Sequence, residues 1–281
     1  MRIQVLFFGM LRDLTGRSEE SLELPDGASL ETLFDHYASQ FPRLREMAGS
    51  IVLARNQEFA PREVLLGDGD EVALMPPVSG GSGADAQAGP KGAALGDSGR
   101  ASGGDSLGNS GDASEGAEES SPWLASSEEE RGFYALTNEA IDIKSLKQRV
   151  LTAADGAVIV FEGVVRDQSN GRRTRFLDYD CYVPLALRTM QEIGGGILEN
   201  HAIGRIAMVH RLGRLAISEA SVAILVSSAH RRPAYEASLE AINRLKKLVP
   251  VWKKEYFEDG DVWVEGEWEA DVPRGGGDHP A

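Results

Sequence analysis

A single cysteine, Cys181, in 281 residues excludes an internal disulfide framework and any metal site built on a cysteine cluster. So little thiol suits a reducing compartment, and the expected location is cytoplasmic. Histidine is nearly as scarce: His36, His201 and His279 stand apart without ligand spacing, so neither a metal nor another cofactor is expected. No apolar run approaches the roughly 20 residues that cross a bilayer. Met1-Arg2-Ile3-Gln4-Val5 also lacks the layout of a secretory leader, so no membrane is expected as a partner. Positive charge is in deficit, with 29 Lys and Arg against 44 Asp and Glu and a net charge of -15, which argues against nucleic acid. No internal repeat is visible.

The deficit is uneven. Residues 1–81 carry 7 basic and 13 acidic side chains, residues 82–130 carry 2 and 10, and residues 131–281 carry 20 and 21. An anionic small-molecule site in the nearly balanced last segment is therefore compatible with the acidic whole. Residues 82–130 also lack aromatics, with Trp123 as the exception, and are dominated by Gly, Ser, Ala, Asp and Glu. Such a stretch buries too little apolar surface to offset chain entropy, which predicts a disordered linker. As a flexible coil it would span roughly 40 Å. The reading is thus two modules, 1–81 and 131–281, joined by a tether, with a frayed tail after about residue 271.

In the first module Ile3, Val5 and Phe7 alternate with Gln4, Leu6 and Phe8, a β pattern. Glu23-Leu24-Pro25-Asp26-Gly27 is turn chemistry, and Ser29 offers an N-cap to a helix presenting Leu30, Leu33, Phe34 and Tyr37. Short strands follow at 51–54 and 71–74. The module closes on Pro76-Pro77-Val78-Ser79-Gly80-Gly81. A diglycine without side chains suits a carrier whose last carboxylate must thread a narrow pocket, because glycine permits close approach and unusual φ/ψ. Here Ser82 follows, so Gly81 carries an amide.

The second module is patterned from Phe133 onward. A helix is expected over Ile143–Val150. A strand over 157–161, apolar on both faces, is expected at the centre of its sheet. Further strands are expected at 176–182, 206–210 and 221–227. One long helix opens at Pro184 and is expected to break or end near Gly194-Gly195-Gly196. A second opens with Pro233 at its first position and stops before Pro250. The whole reads as an α+β protein.

Several residues could carry chemistry. His230 and Arg231 lie at a strand-to-helix junction, where orphan N–H groups and the positive end of the helix favour an anion. A solvated basic loop reads the same way. Arg166 follows an apolar strand and precedes a Gly-containing loop, a rigid support for a side chain able to grip phosphate through two hydrogen bonds. Lys246 and Lys253 flank a helix end, so only the fold could bring their amines together. Desolvation among cations would make either one a usable nucleophile or base. Cys181 sits in a strand pattern and reads as core.

Residues 1–81, with their β-β-α-β-β order and Pro-Pro-Val-Ser-Gly-Gly ending, resemble the ubiquitin-like β-grasp sulfur carriers, most of all the small subunit of molybdopterin synthase. The strings Phe161-Glu162-Gly163-Val164-Val165-Arg166, Tyr179-Asp180-Cys181-Tyr182-Val183-Pro184 and Val209-His210-Arg211-Leu212-Gly213 resemble that enzyme's large, hammerhead-fold subunit. So do Ser228-Ala229-His230-Arg231, Leu245-Lys246, Val251-Trp252-Lys253-Lys254-Glu255 and Gly260-Asp261-Val262-Trp263-Val264-Glu265.

The resemblance implies a fused synthase that installs two sulfurs on cyclic pyranopterin monophosphate as the dithiolene of molybdopterin. It implies a thiocarboxylate on Gly81, next to Gly80, and catalytic roles for Lys246 and Lys253. Arg166, His230 and Arg231 would bind the substrate, and His210 and Arg211 stay outside this site. Implied partners are an adenylating (E1-like) enzyme, a sulfur donor, a protease that frees Gly81, and a second copy joined through the C-terminal module. A second reading makes the N-terminal module a regulatory ubiquitin-like domain on a synthase fed by a separate carrier.

Overall fold

The computed structural model describes residues 1–78, 121–264, 266, 268 and 272. Residues 82–120 of the expected 82–130 tether and the Gly80-Gly81 ending lie outside the described residues.

The N-terminal part begins with β1 (Arg2–Phe7), α1 (Met10–Thr15), β2 (Glu19–Glu23), α2 (Leu30–Gln40) and α3 (Pro42–Glu46). It ends with β3 (Val52–Arg55), β4 (Glu58–Phe59) and β5 (Glu71–Met75). The strands form one sheet in the order β2-β1-β5-β3-β4, with β1 and β5 parallel at its centre. Ile3, Val5 and Phe7, fully buried, face the apolar side of α2, where Leu30, Leu33, Phe34 and Tyr37 pack against them. Ser29 caps α2, its hydroxyl accepting from the Thr32 amide while Thr32 reaches back to the Ser29 amide. The short helices α1 and α3 escape the β-β-α-β-β reading because each lasts only a turn or so.

The C-terminal part follows with β6 (Ala125–Glu128), β7 (Gly132–Thr137), α4 (Ile143–Val150), β8 (Ala157–Val164), β9 (Gln168–Ser169), β10 (Arg172–Cys181) and α5 (Val183–Asn200). It continues through β11 (Ile206–Arg211), β12 (Gly213–Ala216), β13 (Ala220–Ser228), α6 (Arg231–Leu248), β14 (Val251–Phe257) and β15 (Gly260–Trp263). One sheet runs β6-β7-β11-β13-β8. Helices α5 and α6 cover one face around Met190, Met208 and Ile224, and α4 covers the other around Leu146 and Val209. A second sheet runs β12-β10-β14-β15, with β9 hairpinned onto β10.

Four differences from the sequence reading have physical causes. Ala125–Glu128, inside the expected linker, pairs antiparallel with β7; its short run of small residues closed by Glu128, half of them exposed, suits an edge that faces water. Strand β8 is an edge and not the sheet centre, because its two apolar faces come from packing layers on both sides. Helix α5 runs unbroken through the three glycines. A Cβ at Gly194 would lie 2.1 Å from the Tyr134 hydroxyl, and one at Gly196 would lie 3.1 Å from Arg244 Nη1, so these glycines admit neighbours and do not end the helix. Finally, α6 starts at Arg231 with His230 as its N-cap, placing Pro233 in the third helical position.

Candidate active site

Strand β14 carries side chains to both faces of the smaller sheet, and the two faces have different tasks. Trp252 and Lys254 point toward the N-terminal part, and Lys253 and Glu255 point away from it. On the first face Phe8 stacks on Trp252 at 5.3 Å between centroids and lies tilted against Tyr182 at 4.9 Å. Val52, Met75 and Val78 join Tyr182, Leu185, Trp252 and Trp268 in one buried cluster. The Trp252 indole N–H donates to the Pro76 carbonyl at 2.9 Å. The stem that leads to Gly80 and Gly81 is therefore buried against the C-terminal part, with Val78 1% exposed.

Polar contacts surround this cluster. Arg188 pairs with Glu58 at 2.6 Å, and the Tyr182 hydroxyl donates to Glu71. Asp180 accepts from the Gly9 amide at 2.9 Å and lies 3.3 Å from Arg12. Burial pushes the Asp180 carboxyl above its usual range, against the pull of the Gly9 amide and Arg12. Burial acts the same way on Asp13, but there the Trp263 and Lys254 hydrogen bonds prevail and lower its pKa.

On the second face the Lys253 ammonium meets the buried Glu255 carboxylate at 2.8 Å. Tyr179 stands across from Lys253 on β10, and Leu177 across from Glu255. Leu177 packs with Leu215 and Val165, and the exposed Arg166 follows Val165 directly. Lys246 is exposed in the last turn of α6, and that helix stops two residues short of β14.

Helix α6 returns along β13 after a short turn, burying Ala237, Ala241 and Leu245 against Val222, Ile224 and Val226. Its C-terminal end therefore lies toward Ala220, which pairs with Val164 just before Arg166. Lys246, in the last turn of α6, and Arg166, two residues past Val164, therefore lie toward the same end of β13. His230 and Arg231 sit at the other end of α6, roughly 24 Å away at 1.5 Å per residue. Within one chain the expected set is split in two.

Two buried groups escape a reading based on local pattern. Glu255 stands in a matched string, but its pairing with Lys253 depends on both facing inward from β14. His210 is fully enclosed, its ring edge-on to Tyr179 at 5.1 Å and its Nδ1–H donating to the Arg211 carbonyl. Desolvation lowers its pKa from 6.5 to about 4. Cys181 is half-buried against the helix-covered core, and burial pushes its thiol well up.

The depressed His210 pKa has a consequence for acid stability. An unfolded histidine takes up its proton below about pH 6.5, whereas His210 stays neutral down to about 4. Its contribution is whole above 6.5 and declines as the pH falls, by about 3 kcal/mol once pH 4 is reached. Urea unfolding at pH 7 and 4.5 should show a shallower pH dependence in His210→Gln than in the parent; equal slopes would contradict a neutral buried His210.

Comparison with known proteins gives these two parts their class. Residues 136–248 match the family model described as MoaE protein, and residues 5–81 match the ThiS family. A ubiquitin-like ThiS domain and a MoaE domain thus share one mixed α+β chain.

Over 131 residues the chain is 41% identical to a molybdopterin synthase catalytic subunit of Halalkalibacterium halodurans, covering 47% of this chain and 84% of that protein. The Bacillus subtilis protein of the same description is 42% identical over 131 residues, covering 47% and 83%. A crystal structure of molybdopterin synthase from Staphylococcus aureus matches with a TM-score of 0.45 at 39% identity, covering 47% of this chain and 96% of that one. The chain belongs to the molybdopterin synthase catalytic subunit family, in molybdenum cofactor biosynthesis, with its ThiS-family domain fused upstream. Among the described residues no helix is long and apolar enough to cross a membrane.

Proposed function

We propose that this chain transfers sulfur from a thiocarboxylate on Gly81 to cyclic pyranopterin monophosphate, forming the dithiolene of molybdopterin. The observation that carries this reading is the burial of Pro76 and Val78 against Trp252, one residue from Lys253. The carrier's tail is thereby held beside the strand that bears a candidate catalytic lysine. Each delivery breaks the acyl carbon–sulfur bond and one carbon–oxygen bond of the substrate's side chain, where the new carbon–sulfur bond forms; one of the two displaced oxygens stays with the phosphate and the other leaves as water. Water supplies the oxygen that leaves Gly81 a carboxylate, and two deliveries complete the dithiolene. Lys246 and Lys253 move the protons this substitution requires. Glu255 holds Lys253 in place, the exposed arginines neutralise the phosphate, and His230 offers it a hydrogen bond.

A carrier domain over 1–81 and a catalytic domain that takes in β6 from Ala125 onward are part of this proposal, as are a protease acting after Gly81, an adenylating enzyme, a sulfur donor and a cytoplasmic setting. So is a homodimer. Edge strand β8 and helix α6 expose Val164, Tyr235 and Leu239 at 53%, 61% and 62%. A second copy packed there would cover an unpaired sheet edge. Such a copy would bring its own His230 and Arg231 to the Arg166 and Lys246 end, closing the gap of one helix length. The own domain filling the dock favours this reading over a synthase fed by a separate carrier.

Loss of one charged hydrogen bond to the phosphate should weaken binding by about 1.5–3 kcal/mol, roughly ten- to hundred-fold. Calorimetric titration of cyclic pyranopterin monophosphate into Arg166→Ala, His230→Ala and Arg231→Ala should show this loss in each. Mixing Lys246→Ala chains with Arg231→Ala chains should restore part of the turnover through hybrid dimers. Unchanged affinity in all three variants would move the pocket elsewhere, and failure to complement would confine the site to one chain.

A further inference from the structure

The contacts between carrier and catalytic domain are of two kinds. Phe8, Val52, Met75 and Val78 bury against Tyr182, Leu185 and Trp252, an apolar fit that many β-grasp domains of similar shape could make. The polar contacts are more particular, and among the described residues most fall within five consecutive positions where β1 turns into α1.

Gly9 adopts φ +53°, and a Cβ on it would lie 2.9 Å from Cγ of Trp252 and 3.1 Å from Pro76. Its amide donates to Asp180 at 2.9 Å, and Arg12 approaches the other oxygen of that carboxylate at 3.3 Å. Asp13 accepts from Lys254 at 2.9 Å and from the Trp263 indole at 2.8 Å, while Lys254 also meets Asp261 at 2.9 Å. The Asp180 and Lys254 side chains are each 17% exposed, so both depend on partners from the carrier.

We infer that Gly9, Arg12 and Asp13 form a recognition code by which the catalytic domain selects its carrier, read by Asp180, Trp252, Lys254 and Trp263. What is selected rests on the sulfur-carrier reading; the docking itself does not. Selection works mainly by exclusion. A side chain at position 9 meets Trp252 and has to hold a left-handed backbone that favours glycine. Without a cation at position 12, Asp180 is left desolvated with its charge unmatched. Without an acid at position 13, the Trp263 N–H loses its acceptor and Lys254 loses one of its two anions. The partner class is a β-grasp carrier whose first turn reads Gly-x-x-Arg-Asp.

The test uses the full chain, with hydrogen exchange at the Gly9 amide and the Trp252 indole reporting the docked state. Arg12→Ala and Asp13→Ala should each speed exchange at both sites on the order of ten- to hundred-fold, and Asp13→Glu should restore protection. Exchange at Val5 and Leu74, inside the carrier core, should not change, which separates undocking from unfolding. A ThiS-family carrier lacking Arg and Asp at the matching positions, added in excess, should displace the carrier domain of an Arg12→Ala, Asp13→Ala chain but not of the parent. Unaltered exchange in the single variants, or equal displacement from the parent, would overturn the code. Faster exchange with undiminished sulfur delivery would support the code and count against the sulfur-carrier reading instead.

Discussion

Lys246→Ala should abolish dithiolene formation, with turnover falling on the order of 10²–10⁴-fold, the usual contribution of a positioned proton donor or acceptor. The fold should survive. Lys246 is exposed in the last turn of α6, while its neighbour Leu245 packs into the core with Val249 and Val251. Truncating an exposed side chain there removes no core contact, and thermal unfolding should shift little. Lys247→Ala is the matched control, since it removes the same charge one step around the helix and should leave turnover within about two-fold. Single-turnover assays with thiocarboxylated carrier isolate the chemical step from recharging. If Lys246→Ala kept near-parental rates there, the lysine would lie outside the chemistry, and Lys253 with Glu255 would have to serve alone.

How far such a site could be read in advance depended on whether each signal was local. The Ser29 cap and the Leu30, Leu33, Phe34, Tyr37 stripe are local, and α2 forms where they place it. The alternation of Ile3, Val5 and Phe7 is equally local, and all three are buried. Gly194-Gly195-Gly196 misleads because glycine signals a break only when nothing else needs the space. Tyr134 and Arg244 need it, and they arrive from β7 and α6. Strand β8 misleads for a similar reason: two apolar faces report the layers above and below a strand, not whether it has neighbours on both edges. Candidate site residues were legible one by one from short strings, but their grouping was not. The split between Lys246 and His230 follows from α6 running back along β13. The pairings of Asp13 with Lys254 and Arg12 with Asp180 join residues more than 150 positions apart.

The Gly81–Ser82 bond should be cut before the chain can work, and a junction that resists cleavage should leave it inactive. Adenylation and sulfuration both need a free carboxylate at Gly81, and the amide to Ser82 withholds it. A diglycine followed by a stretch of small residues is a favourable substrate for proteolysis. Cutting there should not separate the pieces. Phe8, Met75 and Val78 stay buried against Tyr182 and Trp252, and the Arg188–Glu58 and Lys254–Asp13 pairs do not depend on the peptide bond. The two fragments should therefore co-purify, and intact-mass measurement should find the smaller one ending at Gly81, as the carboxylate or with one oxygen replaced by sulfur. Replacing Ser82 with proline, a poor residue after a scissile bond, should trap the uncut chain. That chain should be docked, folded and without turnover when no other carrier is supplied. Sulfur delivery by the uncut protein at the parental rate would require chemistry that bypasses the Gly81 carboxylate, and the proposed reaction would have to be abandoned.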